Sequence, residues 1–351
     1  MDSNLFLDLA ARGVRMPIAA DLTLNEEPDP ETAKHDPQRL ARVIEKTARR
    51  YNTPLAFPLM DLTLEKADLL GLFGVPEAGM DAYHFQTPPP EDALALVRSQ
   101  ENRPFRTRNA AAIGAVRYIA EKTDLFPVGI VIGPFSLMTK LIADPIPPVA
   151  MAGSGVLAEE DEGVRLVERC LDLALATVLR SALAQIQAGA KAMIVCEPSA
   201  NTVYLSPSQM RAGSGIFTRF VLEPNQRLKT LLAFHGVHLV FHDCGELTTD
   251  MVRQFAHELK PSMMSLGSSR KLWEDAEVVS RDVVLFGNLP TKRFYSDSVL
   301  PVDEVRRLTT ELAEKMAHCA HPHILGSECD VLYVPGSAET IHRKVEAMMT
   351  T

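Results

Sequence analysis

Short hydrophobic runs and longer amphipathic stretches alternate along the chain. Near-continuous apolar runs occupy 16–20, 54–60, 127–133, 192–197, 238–243, 262–267, 283–288 and 323–328. Runs of this length without polar alternation are what a parallel strand needs when both its faces are covered. Between them, helical periodicity marks 36–51, 108–123, 164–189, 247–260, 301–320 and 337–349. A Pro-Gly-Ser turn and the Ser337-x-x-Thr340 step predict a side-chain cap at the start of the last helix. Eight strands alternating with helices predict an α/β fold, a single (β/α)8 TIM barrel spanning 1–351 as one domain. The competing open, doubly wound sheet lacks its G-x-G-x-x-G turn after the first strands. The segment 145–163, rich in Pro, Gly and acidic residues, reads as a long loop after strand three that could close as a lid.

Composition narrows the class. Of 351 residues, 46% are hydrophobic and 23% charged, which excludes disordered, collagenous and coiled-coil chains. Thirty-six basic residues face 45 acidic ones, a formal charge of −9, with no basic stripe to hold nucleic acid. The longest apolar run, 126–138, is shorter than a membrane span and is broken by Gly and Pro. No secretory signal opens the chain, and the five cysteines are odd in number with no C-x-x-C pair. A reducing, cytoplasmic setting follows as the expectation, with thiols buried or metal-bound rather than crosslinked.

In a barrel, reactive groups gather at the carboxyl ends of the strands. The predicted ends carry Asp21, Asp61, Glu197, His242, Cys244, Ser268, Asn288 and Cys329. His242-x-Cys244 is the sharpest element, because residues i and i+2 of a strand share a face while Asp243 points away. With Cys329 at the end of strand eight, these make three N/S ligands with a fourth position open, the pattern of a catalytic zinc. Soft ligation disfavours magnesium and calcium. Cys170 and Cys319 read as helix packing and Cys196 as core. A second group, His318, Cys319, His321 and His323, precedes strand eight and therefore belongs to the opposite rim, as do His235 and His238.

At these residues the chain resembles the uroporphyrinogen decarboxylase superfamily, and within it the zinc-dependent corrinoid-protein methyltransferases, the methylcobamide:coenzyme M methyltransferase-like branch. FPLMDLTLEKADLLG (57–71), GIVIGPFSLMTKLI (129–142), AGAKAMIVCEPSANTVYLSP (188–207), LFGNLPTKRFY (285–295) and HILGSECDVLYVPGSAETI (323–341) fit that pattern in order. True uroporphyrinogen decarboxylases carry an R-Q-A-G-R-Y stretch near the amino terminus. Here only Arg12 and Arg15 occur there, in RGVRMPIAADLTLNEEPDP. The resemblance therefore implies a zinc methyltransferase that moves a methyl group between a corrinoid protein and a small thiol or pterin acceptor. A decarboxylase of a porphyrinogen or smaller acid is the alternative. It implies His242, Cys244 and Cys329 as zinc ligands and the corrinoid as a group supplied by a partner protein. Glu197 stands as a fourth ligand or base, Asp61 as an orienting acid, and Asn288 and Ser268 as substrate contacts. Relatives carry an acidic residue shortly after strand six, where this chain has Gly267 and Ser268, with Glu274 further on. No membrane and no nucleic acid enter this reading, and a homo-oligomer is compatible with it.

Overall fold

The computed structural model describes residues 5–100 and 102–351. Its strands are β1 (Arg15–Met16), β2 (Leu55–Ala56), β3 (Phe126–Ile132), β4 (Ala192–Cys196), β5 (His238–Asp243), β6 (Met263–Leu266), β7 (Val284–Leu289) and β8 (His323–Ser327). All are parallel and lie in one sheet, in the order β1-β8-β7-β6-β5-β4-β3-β2. Helices separate successive strands and β8 returns beside β1, the connectivity of a (β/α)8 barrel. The seam between β1 and β2 carries no ladder pairing among the described residues.

The continuous apolar runs are explained by two cores. On β4, Ile194 faces the barrel interior while Met193 and Val195 face the helices; on β5, Val240 points in while Leu239 and Phe241 point out. Val128, Met263, Val284 and Ile324 extend the inner core across the other strands. Each such side chain contributes roughly 1.5–3 kcal/mol when fully buried, so both faces of each strand favour apolar residues.

The first two strands are much shorter than their runs. Pro17 follows β1 directly, and Pro54 and Pro58 flank β2; a proline has no N–H for the ladder. The chain after β1 bonds elsewhere, with the Ile18 N–H donating to Ser327 Oγ at 2.9 Å. The helices lie at Pro37–Arg50, Thr107–Lys122, Glu162–Gln187, Val302–Cys319 and Ala338–Thr350, and the stretch 247–260 divides into a helix, Thr249–Gln254, and a wider turn, Phe255–Leu259. Ser337 occupies the cap position of Ala338–Thr350, but its hydroxyl makes no capping bond. Much of 145–163 is ordered rather than a loop. A helix, Ile146–Gly153, forms there because Pro147 and Pro148 fall in its first turn, where no N–H is needed. Gln209 Nε2 holds the Ala150 carbonyl at 2.7 Å and Ser214 Oγ the Gly153 carbonyl at 2.6 Å.

Candidate metal centre at the carboxyl ends of the strands

The inward row of β5 runs from Val240 to His242, and its next step, just past the strand, is Cys244. Cys329 stands two residues beyond the end of β8. One ligand atom from each of His242, Cys244 and Cys329 lies within 4.8 Å of the other two. His242 is buried, and its Nδ1 is 2.9 Å from Ser265 Oγ on the neighbouring strand. That bond leaves Nε2 buried without a partner. An imidazole anchored through one nitrogen with the other free is the usual arrangement of a metal-binding histidine.

The two thiols act on each other in opposite directions. Hydrogen bonding from Cys329 holds Cys244 well below the ordinary thiol range, with His242 and Lys292 also favouring its thiolate against the effect of burial. The same bond, with burial, pushes Cys329 up. Lys292 is raised despite its desolvation, because Cys244, Cys329 and Glu328 surround it with negative charge. Cys329 Sγ also touches Met60 Sδ at 3.9 Å, which brings the segment after β2 to the group. Two thiols and a partnerless imidazole nitrogen fit a zinc-like cation and not an oxygen-seeking one. Of the seven buried side-chain atoms among the described residues with no hydrogen-bond partner, four (His242 Nε2, Asp243 Oδ2, Thr291 Oγ1 and Asp330 Oδ1) lie at the ends of β5, β7 and β8. Native proteins leave few such atoms, so their concentration here marks a ligand-binding end.

The other expected residues are placed differently. Glu197 is outside the His-Cys-Cys group and fully buried. Its carboxylate accepts the Phe135 and Ser136 N–H groups at 3.1 and 2.8 Å, and Asn225 Nδ2 at 2.8 Å. It thus caps the helix Pro134–Leu141, whose first N–H groups have no partner of their own. Gly133 makes room for it, since a Cβ there would come within 2.0 Å of Glu197 Cδ. Burial raises the Glu197 carboxyl, against the pull of these donors. Asp61 is also outside the group; it is ion-paired with Arg108 and accepts from Thr63 Oγ1 at 2.6 Å. Asn288 donates to the Gly267 and Arg270 carbonyls at 2.8 and 2.9 Å, which ties the end of β7 to the turn after β6. Ser268 is exposed, and its backbone N–H donates to Glu328 Oε2 at 3.0 Å.

That last bond brings a carboxylate to the turn after β6, where the sequence has Gly267 and Ser268. A side chain on Gly267 would meet the Cys244 carbonyl oxygen at 2.8 Å, so the close approach of β5 and β6 requires glycine. The carboxylate comes from β8 instead, as the buried Glu328. Glu328, Lys292 and Ser265 were not among the expected site residues. Only Ser265 has a signal in the sequence, as a hydroxyl at an inward position of an apolar run.

Of the other cysteines, Cys170 and Cys196 are buried as expected, whereas Cys319 is only half-buried, its thiol 3.6 Å from the Trp273 carbonyl oxygen. At the opposite rim, His321 Nε2 is bonded to the Val283 carbonyl (3.0 Å), His323 Nε2 to the Gly287 carbonyl (2.9 Å) and His238 Nδ1 to Ser262 Oγ (2.8 Å). That end also holds a cavity of about 880 Å³, lined by Arg12, Arg15, Arg49, Arg50 and residues leading into β2 and β3. None of His242, Cys244 and Cys329 lines it.

The sequence profile of the uroporphyrinogen decarboxylase (URO-D) family matches residues 18–350. The chain belongs to the URO-D family. Arg12 and Arg15 precede the matched segment of this URO-D chain. Among solved structures, a methyltransferase from Methanosarcina mazei is similar with a TM-score of 0.67 at 19% identity, covering 99% of this chain and 98% of that one. A 3-keto-D-glucoside 4-epimerase from E. coli, in its apo form, reaches 0.41 at 14% identity over 77% of this chain and 98% of its own. No curated protein matches the chain. No helix among the described residues is long and apolar enough to cross a membrane.

Proposed function

We propose that this URO-D family chain is a zinc-dependent methyltransferase acting between a corrinoid-carrying partner protein and a small thiol or related acceptor such as a pterin. The observation that carries the reading is the His242-Cys244-Cys329 group with its partnerless Nε2. A fold shared along nearly its whole length with a protein described as a methyltransferase is consistent with it. Zinc, when bound, supplies Lewis acidity that keeps an incoming thiol deprotonated at neutral pH.

The chain's own residues do the rest. His242, Cys244 and Cys329 hold the ion, and Ser265 keeps the imidazole turned with Nε2 available. Lys292 offsets the negative charge that thiolates bring to the site. Glu328 joins the turns after β6, β7 and β8 by accepting from Ser268 and, at 3.4 Å, from the Lys292 N–H. Six of the eight exposed large hydrophobics among the described residues, Ile146, Met151, Leu157, Val203, Tyr295 and Leu332, follow β3, β4, β7 or β8 and precede the returning helix. An apolar rim around a reactive mouth suits docking of a protein that presents the methyl group. A decarboxylase would need cations over the mouth to bind substrate carboxylates. Arg12 and Arg15 line the cavity at the other end, and Arg15 Nη1 is spent on the Met348 carbonyl at 2.8 Å.

The test uses methylcobalamin as the donor probe with a panel of small thiols and pterins, followed by the cobalt absorption change. Demethylation by wild type, lost in Cys329→Ser, is expected. A zinc-loaded, folded protein that demethylates with none of them contradicts the reading.

A further inference from the structure

The seam of the barrel opens on the cavity at the amino-terminal rim. β1 and β2 have no ladder pairing among the described residues, and the residues leading into both line this space. Arg12 to Arg15 approach from one side and Asn52 to Pro54 from the other, while Arg49, Arg50 and His342 come from the helices Pro37–Arg50 and Ala338–Thr350. At about 880 Å³ it has the size of a small-molecule site.

Four arginines and two carboxylates, Asp124 and Glu346, line the cavity, in a chain of formal charge −9. The arginines are not equivalent. Arg50 is bidentate to Glu26, and Arg49 is ion-paired with Asp124 and Glu45. Those pairs neutralise one wall. On the other, neither Arg12 nor Arg15 is in ion-pair contact with a carboxylate among the described residues. Both are anchored through the backbone. Arg15 opens β1 in register with Leu325. Arg12 stands in a tight turn that Gly13 closes at φ +64°, with the Gly13 and Val14 N–H groups donating to the Ala10 and Leu9 carbonyls.

A guanidinium offers five N–H donors in a planar fork that matches a phosphate or carboxylate group. Arg15 gives its Nη1 to the Met348 carbonyl, which ties it to the end of the last helix. Burial lowers it, and no carboxylate opposes that effect. The carbonyl ends of helices attract cations without any ligand, and that suffices to explain one bond of Arg15. It does not explain Arg12, whose side chain has no partner among the described residues. None of the buried polar atoms left without a partner lines the cavity, so it is built to hold a molecule rather than to transform one.

We infer that this cavity binds a small oxyanionic molecule, one bearing phosphate or paired carboxylate groups, held by Arg12 and Arg15 across the open seam between β1 and β2. It lies at the opposite end of the barrel from the His-Cys-Cys group, so the inference stands apart from the proposed chemistry.

Calorimetric titration of the full chain with pyrophosphate and, separately, with citrate tests it, in chloride buffer near physiological ionic strength. One equivalent of at least one of them should bind with a Kd below about 1 mM. Pyrophosphate alone would assign a phosphate ligand, and citrate alone a polycarboxylate. Arg12→Ser, at an exposed position, should keep the wild-type melting curve and weaken binding by about tenfold. Arg15→Lys, which keeps the charge and loses the fork, should weaken it as well, whereas Arg227→Ser on the flank should leave it unchanged. Binding of neither anion, or an affinity in Arg12→Ser equal to that of wild type, would overturn the inference and leave these arginines as complements of helix ends.

Discussion

The two ends of this barrel carry similar residue types in different states of bonding. At the amino-terminal rim, His321, His323 and His238 each have a carbonyl or hydroxyl partner, and burial lowers the first two, His323 to about 4. Burial keeps His321 and His323 neutral, and all three rings are spent on structural bonds. At the carboxyl-terminal rim, His242 is just as buried and has one nitrogen bonded and the other without a partner, beside the thiols of Cys244 and Cys329. A cavity of about 880 Å³ is at the first end and the unspent donor atoms are at the second. Chemistry follows the unspent donors, because a buried polar atom without a partner costs about 1–3 kcal/mol unless a ligand supplies one.

If bonding state separates structural from functional groups, Glu197, whose carboxylate accepts three N–H donors, belongs with the structural ones. Glu197→Ala would strand the Phe135 and Ser136 N–H groups and Asn225. The expected loss is about 3–5 kcal/mol of stability in chemical denaturation, with zinc stoichiometry unchanged in the folded fraction. A stable Glu197→Ala protein that loses its metal would move Glu197 to the functional side.

Glu65 sharpens the comparison through pH. It is buried, with the Ser181 hydroxyl at 2.8 Å, and burial raises its carboxyl to about 7. The native state therefore holds the proton more tightly than the unfolded chain. This contribution to stability is complete below the ordinary carboxyl value and is lost as pH rises through about 7. Glu65→Gln, neutral throughout, should match wild type near pH 4 and exceed it by about 3 kcal/mol at pH 8. Urea titrations that differ equally at both pH values would contradict the assignment.

The smallest effect concerns orientation. Ser265→Ala removes the hydroxyl that fixes the His242 ring, and zinc affinity measured by chelator competition should fall about tenfold with the fold intact. Unchanged affinity would mean that packing alone orients the ring.

The parts legible in the sequence are those that depend on parity within one strand. Continuous runs such as 192–197 and 238–243 announce strands covered on both sides, and His242-x-Cys244 keeps its shared face because period two survives folding. What was hidden depends on register between strands. Ser265 meets His242 because β6 pairs with β5 at those two positions, and Glu328 reaches the turn after β6 from β8. Glu197 looked reactive at the end of β4 because nothing local tells that the helix after β3 brings its N–H groups to meet it. Prolines 17, 54 and 58 shortened the first two strands for a reason visible in the sequence but outweighed by the hydrophobic pattern.

The central claim, that His242, Cys244 and Cys329 form one soft metal site, is tested most directly by loading the metal-free protein with Co²⁺ and Zn²⁺. One equivalent per chain should bind, Co²⁺ with a thiolate charge-transfer band. Both signals should disappear in Cys244→Ser and Cys329→Ser and persist in His321→Gln. A folded wild-type protein that takes up neither ion, or a band that survives loss of either cysteine, would contradict it.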